Sequence, residues 1–566
     1  MSKLLRSFVR ALVLVVLLVA FFVAYQSTTV RNFFASTFGG NSGVATNIPS
    51  TPKLSNINGK VAFVALTRLS NPRQELDKAA ALKIFQTNEL FFDHKLVEWL
   101  PEESKEQLIV ALGLPEGTDL PTTQLDSLVT DNPGFSERVI IAVLPDLDFR
   151  YKTLKIAGKL PLKDSATYPW QFDVALVNLS ETATQRIFNI MQTAYNLPQT
   201  PTNLEALQID DSKINKIFAG GEIIPARAVD RLSLNMNNNY TVLFDRFAED
   251  IKSADLAIAL LENPVSADPK PCTGCTTFVG DERVAKGLAD VGFDLLGAGN
   301  HAGDGGLTAM KRTQEVMKEV GIGFTGASAS NLQDAAHVEI RDFGGKKLGF
   351  MSYDDVAYFY WAGANKWGAN RFSKVGSSGL DPDLERIKTV VQAAKAQVDY
   401  LIIYGSAGVE YTDTANPGQV KIARALIDNG ADMLLGTHPH WVQNFEVYKG
   451  KPIFYSLGNF IFDQTHTDPT RQGLLVNAFF YDHKLVSFEL MPTLTCGYHQ
   501  TKDSSSAPKK NLVGKILDGS MTYAQVDATP ENQGCVYWQP KELNYGDKYY
   551  SDVWSRFTKS TTVSEK

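Results

Sequence analysis

The chain contains few cysteines, few histidines and no excess of basic residues. Its 566 residues include 4 cysteines and 8 histidines, and 62 acidic against 55 basic side chains give a net charge of −7. Because binding to nucleic acid through charge requires a basic face, we expect no nucleic-acid partner. Hydrophobic residues form 44% of the chain, which is enough for a large packed core, so disorder is not the expected state.

The N-terminal segment combines a basic flank with an uncharged apolar run. Lys3, Arg6 and Arg10 precede residues 11–30, which carry no charge. Twenty uncharged residues can cross a bilayer as a helix, and a basic flank keeps the preceding end in the cytoplasm. We therefore predict a single-pass membrane anchor over residues 1–31, with the bulk of the chain outside the cytoplasm. A cleaved signal peptide is the alternative interpretation.

The four cysteines fit an extracytoplasmic compartment, where disulfides persist. Four cysteines allow three pairings, of which we favour Cys272–Cys275 and Cys496–Cys535. A zinc site at the Cys-Thr-Gly-Cys segment is the weaker alternative, because the other two cysteines are far apart in the sequence.

Composition divides the rest of the chain into four segments. Residues 32–56 are rich in Gly, Ser, Thr, Asn and Pro, which is typical of a linker. Apolar runs alternate with helical stretches over residues 57–200, which predicts an N-terminal α/β domain. A stronger strand–helix alternation over residues 214–495 predicts a second α/β domain, with parallel strands buried on both faces and antiparallel hairpins at its end. Residues 496–566 form an appended C-terminal segment.

Polar side chains follow five predicted strands of the second domain. They are Glu222 after 214–220, Glu262-Asn263 at the end of 255–262, Gly299 to Asp304 after 293–298, Ser406 to Glu410 after 399–405, and Thr437 to His440 after 432–436. Sites in α/β sheets form at the carboxyl ends of strands, so we expect these side chains to lie together. Alternate residues of an extended segment point to one side, so His438 and His440 can share a metal. Carboxylates, an amide oxygen and imidazoles form a mixed set that suits Mn, Zn or Fe.

Six segments, in order along this domain, resemble motifs of the CapA-type capsule synthesis proteins. They are GEIIPAR (221–227), DLAIALLENP (255–264), GFDLLGAGNHAGDGG (292–306), YGSAGVEY (404–411), GADMLLGTHPHWVQ (430–443) and KPIFYSLGNFIFD (451–463). The resemblance implies a calcineurin-like, metallophosphoesterase-type β-sandwich flanked by helices. It also implies a role in making, anchoring or releasing a poly-γ-glutamate capsule.

The resemblance also implies roles for individual residues and a cofactor of one or two divalent metal ions. The implied metal ligands are Glu222, Glu262, Asn300, His438 and His440. His301, near Asp304, is the implied general acid or stabiliser of transition-state charge. Two metals would clamp the attacking and leaving oxygens and lower the pKa of a bound water.

Five positions depart from the family pattern. Glu222 stands in place of Asp, Leu260 and Gly299 each replace Asn, and Ser406 and Thr437 each replace His. A serine hydroxyl is a poor ligand for a divalent transition metal, so the loss of the imidazole at Ser406 can empty one metal position. The sequence therefore leaves open whether two metals, one metal or none are bound.

Two classes of function fit these residues. The favoured hypothesis is a metal-dependent hydrolase or transferase that acts on a phosphoester or a cell-surface polymer, with other capsule synthesis proteins as partners. The alternative is a catalytically reduced binding or scaffold protein in the assembly of a cell-envelope polymer. A carbohydrate-directed acid–base enzyme is a third interpretation, and it requires two carboxylates that flank a sugar bond.

Overall fold

The computed structural model describes most of residues 208–495, parts of residues 56–177, and residues 522–525, 536–539 and 556. The predicted anchor, nearly all of the linker and the four cysteines lie outside the described residues, so the anchor and the disulfide pairing stay predictions. In the part that the structure describes, no helix is both long enough and apolar enough to span a membrane.

The N-terminal region contains an antiparallel sheet. The strands of this region are β1 (Asn56–Arg68), β2 (Glu75–Leu76), β3 (Leu90–Phe92), β4 (Lys95–Val97), β5 (Val139–Val143), β6 (Tyr151–Thr153), β7 (Lys155–Ile156) and β8 (Gln171–Val177). The sheet consists of β1, β5, β6 and β8, while β2 pairs with β7 and β3 with β4 separately. Strand β1 pairs antiparallel with β5, β6 and β8. The apolar run at 61–66 lies in β1 and that at 139–144 covers β5, while most of the chain between them lies outside the described residues.

The central domain alternates strands and helices. Its first half contains β9 (Ile214–Ile223), α1 (Arg227–Asn235), α2 (Ala248–Lys252), β10 (Leu256–Leu261), β11 (Val265–Ser266), β12 (Gly280–Asp281), α3 (Val284–Val291), β13 (Leu295–Ala298), α4 (Gly306–Glu319), β14 (Gly323–Thr325), β15 (Ala327–Ser328) and α5 (Leu332–Ala335). Its second half contains β16 (Glu339–Phe343), β17 (Lys346–Asp354), β18 (Gly368–Ala369), α6 (Leu384–Lys395), β19 (Tyr400–Ser406), α7 (Pro417–Asp428), β20 (Met433–Thr437), β21 (Phe445–Tyr448), β22 (Lys451–Phe454), β23 (Asn459–Ile461), α8 (Asp468–Arg471), β24 (Gln472–Tyr481) and β25 (Lys484–Leu494). A C-terminal hairpin follows, formed by β26 (Thr522–Gln525) and β27 (Val536–Gln539).

These strands form two mixed sheets. The first has the order β14-β13-β10-β9-β24-β25, with β23 also paired to β9, and the second has the order β16-β17-β19-β20-β22-β21. Strands β9, β10, β13 and β14 are parallel to one another, as are β17, β19, β20 and β22. The hairpins β21–β22 and β24–β25 are antiparallel. The predicted α/β class, with parallel strands followed by antiparallel hairpins, is confirmed.

Strand β10 shows how the sheets pack. Its Leu256, Ile258 and Leu260 belong to a core shared by both sheets, whereas Ala257 and Leu261 belong to a core shared with helices α1 to α4. Successive side chains of a strand point to opposite faces, so a strand that is apolar throughout is buried on both sides. Helices α6 and α7 cover the outer face of the second sheet in the same way. The layers are therefore helix, sheet, sheet and helix.

Helix α7 begins where the sequence places its start signal. The side chain of Asn416 accepts a hydrogen bond from the backbone N–H of Gln419, whose side chain bonds back to complete a capping box. Pro417 occupies the first turn, where its missing N–H costs no hydrogen bond. Gly430, with φ +119°, follows the end of the helix.

The N-terminal region packs on the β24–β25 hairpin through apolar contacts and buried ion pairs. Phe479 and Val486 of the hairpin share a core with side chains of β1 and β6. The buried carboxylate of Glu489 lies 2.8 Å from the ammonium nitrogen of Lys155 and 2.9 Å from that of Lys163. These contacts hold the N-terminal region against the β24–β25 hairpin of the central domain.

Candidate metal and catalytic site

The candidate site lies at the edge where the parallel strands of both sheets end. Two contacts join side chains of the first sheet to side chains of the second. His440 Nδ1 lies 2.9 Å from Glu222 Oε1, and the Ser406 hydroxyl donates to Asn300 Oδ1 over 3.4 Å. The prediction that polar strand ends come together is thus correct for these four residues.

Glu222 and Glu262 are buried carboxylates at neighbouring strand ends. They are 0% and 1% exposed, and among the described residues none of their four oxygens accepts a hydrogen bond of normal geometry, although the Asn300 backbone N–H faces Glu262. Burial raises the pKa of Glu262 well above its usual range, and the carboxylates of Glu222 and Asp354 raise it further. Buried carboxylates normally have donors or cations beside them. This pair therefore has the chemistry of a cation site.

Gly299 gives the Glu262 carboxylate its space. A Cβ atom at residue 299 would lie 1.9 Å from Glu262 Oε2 and 2.8 Å from Leu260 Cδ2. Leu260 and Gly299 are two of the positions that depart from the family pattern, and they are neighbours in the fold. The asparagine side chain that the pattern has at residue 299 would not fit beside Glu262 as it is placed here.

One ring nitrogen of His440 lies close to two side-chain oxygens, which hold the ring in place. Its Nδ1 lies 2.9 Å from both Asn459 Oδ1 and Glu222 Oε1. Burial lowers the pKa of His440, but the Glu222 carboxylate outweighs burial, so the pKa is raised overall. Nε2 lies 3.9 Å from Glu410 Oε1, too far for a hydrogen bond, and the Tyr411 ring stacks 5.9 Å away. Donation from Nδ1 to an amide oxygen is the arrangement that leaves Nε2 free as a ligand.

The imidazole of His438 is neutral because it is buried. Burial lowers its pKa to about 3, and the neighbouring His440 and His301 lower it in the same direction. The ring centres of His438 and His440 are 6.1 Å apart. The premise that an extended segment brings them together is wrong, because both residues have positive φ, +91° and +56°. Such strained backbone persists where the surrounding structure imposes it, often at functional sites.

His301 and Asp304 form the predicted pair. His301 Nδ1 lies 2.8 Å from Asp304 Oδ2, which also accepts from the Phe278 backbone N–H at 2.6 Å. The Phe278 ring packs on the imidazole with centres 4.2 Å apart. An imidazole fixed through Nδ1 presents Nε2 for proton transfer, so the geometry suits a general acid.

The predicted ligands do not form one cluster. Within the described residues, no group of three His, Cys, Asp or Glu side chains converges closely enough to hold a metal ion. The structure instead brings together three pairs: Glu222 with His440, Asn300 with Ser406, and His301 with Asp304. The assignment of individual ligands stays a prediction.

Sequence reasoning missed Asp354 and Asn459. Asp354 ends β17, is fully buried, and accepts hydrogen bonds from the backbone N–H groups of Val356 and Ala357. Burial raises its pKa to about 7, and its charge acts on Glu262. The strand-end rule could have found it, because Asp354 follows the apolar run LGFMSY directly. Asn459 has no such signal, since its contact with His440 depends on the pairing of β23 with β9.

Comparison with known proteins finds a family that the central domain resembles. Residues 216–464, which contain every candidate site residue, match the family model described as bacterial capsule synthesis protein PGA_cap. The central domain is therefore similar to this family.

Two curated relatives and a solved structure illustrate the similarity. The capsule biosynthesis protein CapA of Bacillus anthracis is 29% identical over 304 residues, which is 52% of this chain and 71% of that protein. The PGA biosynthesis protein CapA of Bacillus subtilis (strain 168) is 29% identical over 324 residues, 54% of this chain and 80% of the relative. The NAD nucleotidase of Haemophilus influenzae aligns with 53% of this chain and 55% of its own, at 12% identity and a TM-score of 0.33.

Proposed function

We propose that the chain is a metal-dependent hydrolase or transferase in the synthesis of a poly-γ-glutamate-type capsule. Its similarity to this family and to two CapA proteins supports the capsule role. The two-sheet sandwich between helices is the architecture expected of a calcineurin-like metallophosphoesterase. The substrate is a cell-surface polymer or a phosphoester, other capsule synthesis proteins are partners, and residues 1–31 anchor the chain in the membrane.

One observation carries the catalytic part of the proposal: the buried carboxylates of Glu222 and Glu262 have no hydrogen-bond donor of normal geometry in the described structure. A divalent cation (Mn, Zn or Fe) would neutralise them, with Asn300, His438 and His440 as further ligands. When bound, the cation supplies Lewis-acid stabilisation and lowers the pKa of a bound water. Burying two unneutralised carboxylates is otherwise costly.

The chain's own residues supply the remaining chemistry. The Asp304 carboxylate holds His301 Nδ1, so His301 Nε2 can donate a proton to a leaving group. Asn459 fixes the ring of His440 through Nδ1. The side chain of His301 is 23% exposed, so a substrate can reach it from solvent.

Metal binding by the purified full-length chain tests this proposal. Mn²⁺ should raise the melting temperature, because a ligand at about 100 times its Kd stabilises by about 2.7 kcal/mol. Glu262→Gln should abolish that increase and raise the melting temperature of the metal-free protein, since it removes a buried like charge. Glu446→Gln is the control, because Glu446 pairs with Arg424 away from the site.

Two outcomes would contradict the proposal. One is metal analysis that finds no Mn, Zn or Fe bound to the wild-type chain, even after incubation with each ion. The other is metal binding without any hydrolysis of poly-γ-glutamate or of simple phosphodiesters. Loss of hydrolysis in EDTA and its return with added metal would support it.

Ser406 favours a second candidate function, a binding or scaffold protein in polymer assembly. Its hydroxyl contacts Asn300 Oδ1 where the family pattern has a histidine, so one expected ligand is missing. His440→Ala distinguishes the two functions in capsule-producing cells. A scaffold would retain capsule formation with this variant at normal protein levels, whereas an enzyme would lose it.

A further inference from the structure

Two phenylalanine rings pack against two of the three histidines of the site, His301 and His440. Phe278 packs on His301 with ring centres 4.2 Å apart, and Phe462 packs on His440 at 5.5 Å. The two phenylalanines contact each other at 5.7 Å, with their planes at 73°. Both are buried, 6% and 3% exposed. Because the packing is tight, a shift of either ring would displace the histidine that lies on it.

Arg227 lies against both rings and is fixed by Asp463. Its guanidinium carbon is 5.2 Å from the centre of the Phe278 ring and 5.3 Å from that of Phe462, within the range of cation–π attraction. Its Nε and Nη2 donate to the two carboxylate oxygens of Asp463 at 3.2 and 2.6 Å. Asp463 Oδ2 also accepts from the Ala228 backbone N–H at the start of α1.

The backbone conformation of Arg227 and a hydrogen bond of Phe278 indicate that the surrounding structure holds these residues in place. Arg227 has φ +54°, which is uncommon for a residue with a long side chain. Phe278 has a second link to the site, because its N–H donates to Asp304 Oδ2, the oxygen that lies 2.8 Å from His301 Nδ1. Asp463 follows β23, the strand whose Asn459 bonds His440.

We infer that Arg227 and Asp463 form a positioning pair. Through the rings of Phe278 and Phe462, this pair fixes the position of His301 relative to His440. Within the described structure, neither charged residue has a contact with His301 or His440, so the pair would act through the rings. The inference rests on the proposed function only in taking these two histidines as the working residues. Positioning groups behind a metal or catalytic ligand typically change affinity or activity about 10- to 100-fold when removed.

The test reads the histidines directly and needs no substrate. NMR spectra of the metal-free, full-length chain with labelled histidine rings are compared among the wild type, Arg227→Met, Arg227→Lys and Asp463→Asn. The signals of His301 and His440, assigned with His→Gln variants, should both shift in Arg227→Met and Asp463→Asn. Arg227→Lys, which retains the cation, should show smaller shifts, while the signals of His337 and His483 should not move.

Arg424→Met is the matched control. Arg424 also makes a forked contact with a carboxylate, that of Glu446, and its guanidinium carbon lies 5.1 Å from the centre of the Tyr448 ring, but away from the site. Its replacement should leave the signals of His301 and His440 unchanged. The inference is overturned if Arg227→Met moves these signals no more than Arg424→Met does, or if it moves all histidine signals equally.

Activity gives an independent readout once a substrate is known. The turnover number should fall about 10- to 100-fold in Arg227→Met and less in Arg227→Lys, with KM little changed. If catalysis were absent from the wild type, the proposed function would fail while the NMR result could still stand. Unchanged turnover together with shifted histidine signals would refute the functional part of the inference.

Discussion

Replacing Gly299 by alanine is expected to destabilise the protein, because the new methyl group would occupy the place of the Glu262 carboxylate. The backbone at Gly299 has φ −102° and ψ −166°, which any residue can adopt, so the effect is purely steric. The new atom would lie 1.9 Å from Glu262 Oε2 and 2.8 Å from Leu260 Cδ2. Both distances are far inside the optimum of about 3.5–4.0 Å for non-bonded atoms. Glu262 is 1% exposed, so its carboxylate can move only within the interior of the protein.

Overpacking of this kind costs about 1–3 kcal/mol. For a domain of this size, each kcal/mol lowers the melting temperature by about 2–4 °C, which scanning calorimetry resolves. Gly363→Ala is the control, since its Cβ would meet only Lys366 Cβ at an ordinary 3.4 Å.

The combination with Glu262→Ala completes the test. In that background the methyl group has room, so Gly299→Ala should cost less, with a coupling of about 0.5–3 kcal/mol. The reasoning is refuted if Gly299→Ala destabilises no more than Gly363→Ala, or if its effect is the same with and without the Glu262 carboxylate.

Three further variants test the domain contact, the start of α7 and the ligand set. Glu489→Gln should lower the free energy of unfolding by about 3 kcal/mol at neutral pH in chemical denaturation, because Lys155 and Lys163 lose their buried counter-charge. Burial raises the pKa of Glu489, but the two ammonium groups outweigh burial and hold that pKa far below its usual range. This stabilisation is therefore present above the unfolded pKa of about 4.3 and is lost as the pH falls toward the folded pKa, so wild type and variant should converge in acid. Asn416→Ala should cost about 1 kcal/mol in the same assay, since it removes the cap of α7. Ser406→Ala should leave the Mn²⁺ affinity, measured by calorimetry, unchanged; a marked loss would identify the serine hydroxyl as a ligand.

Local sequence patterns account for most of the central fold. A strand such as LAIALL in β10 is apolar at every position, and Asn416-Pro417 and Gly430 mark the ends of α7. The end of strand β9 is a boundary that such local patterns do not predict. The strand was predicted to end at residue 220 but continues to Ile223, because Glu222 pairs with Leu260 of β10 and with Asn459 of β23. The second partner lies more than two hundred residues away, and no local signal announces it.

The sequence predicted which residues lie near one another in the site, but not how their backbone and side chains are arranged. The rule that sites form at strand ends correctly brought Glu222, His440, Asn300 and Ser406 to one edge. It gave no warning that His438 and His440 have left-handed backbone, because that conformation depends on contacts made by the folded chain. The contact between Arg227 and Asp463 could not be predicted either, because the two residues come from segments far apart in the sequence.

The departures from the family pattern argue for a retained cation more than for a lost one. Gly299 removes a side chain next to the Glu262 carboxylate, and Leu260 fills the adjacent space. A scaffold protein would gain stability by replacing either Glu222 or Glu262 with a neutral residue, because two neighbouring buried carboxylates that accept no hydrogen bond of normal geometry in the described structure are costly. Both carboxylates are nevertheless present, with space kept for one of them. The cation that we propose would explain this combination, and the stability of metal-free Glu262→Gln tests it. A variant less stable than the wild type would show that the carboxylate has a structural partner and that no cation is needed.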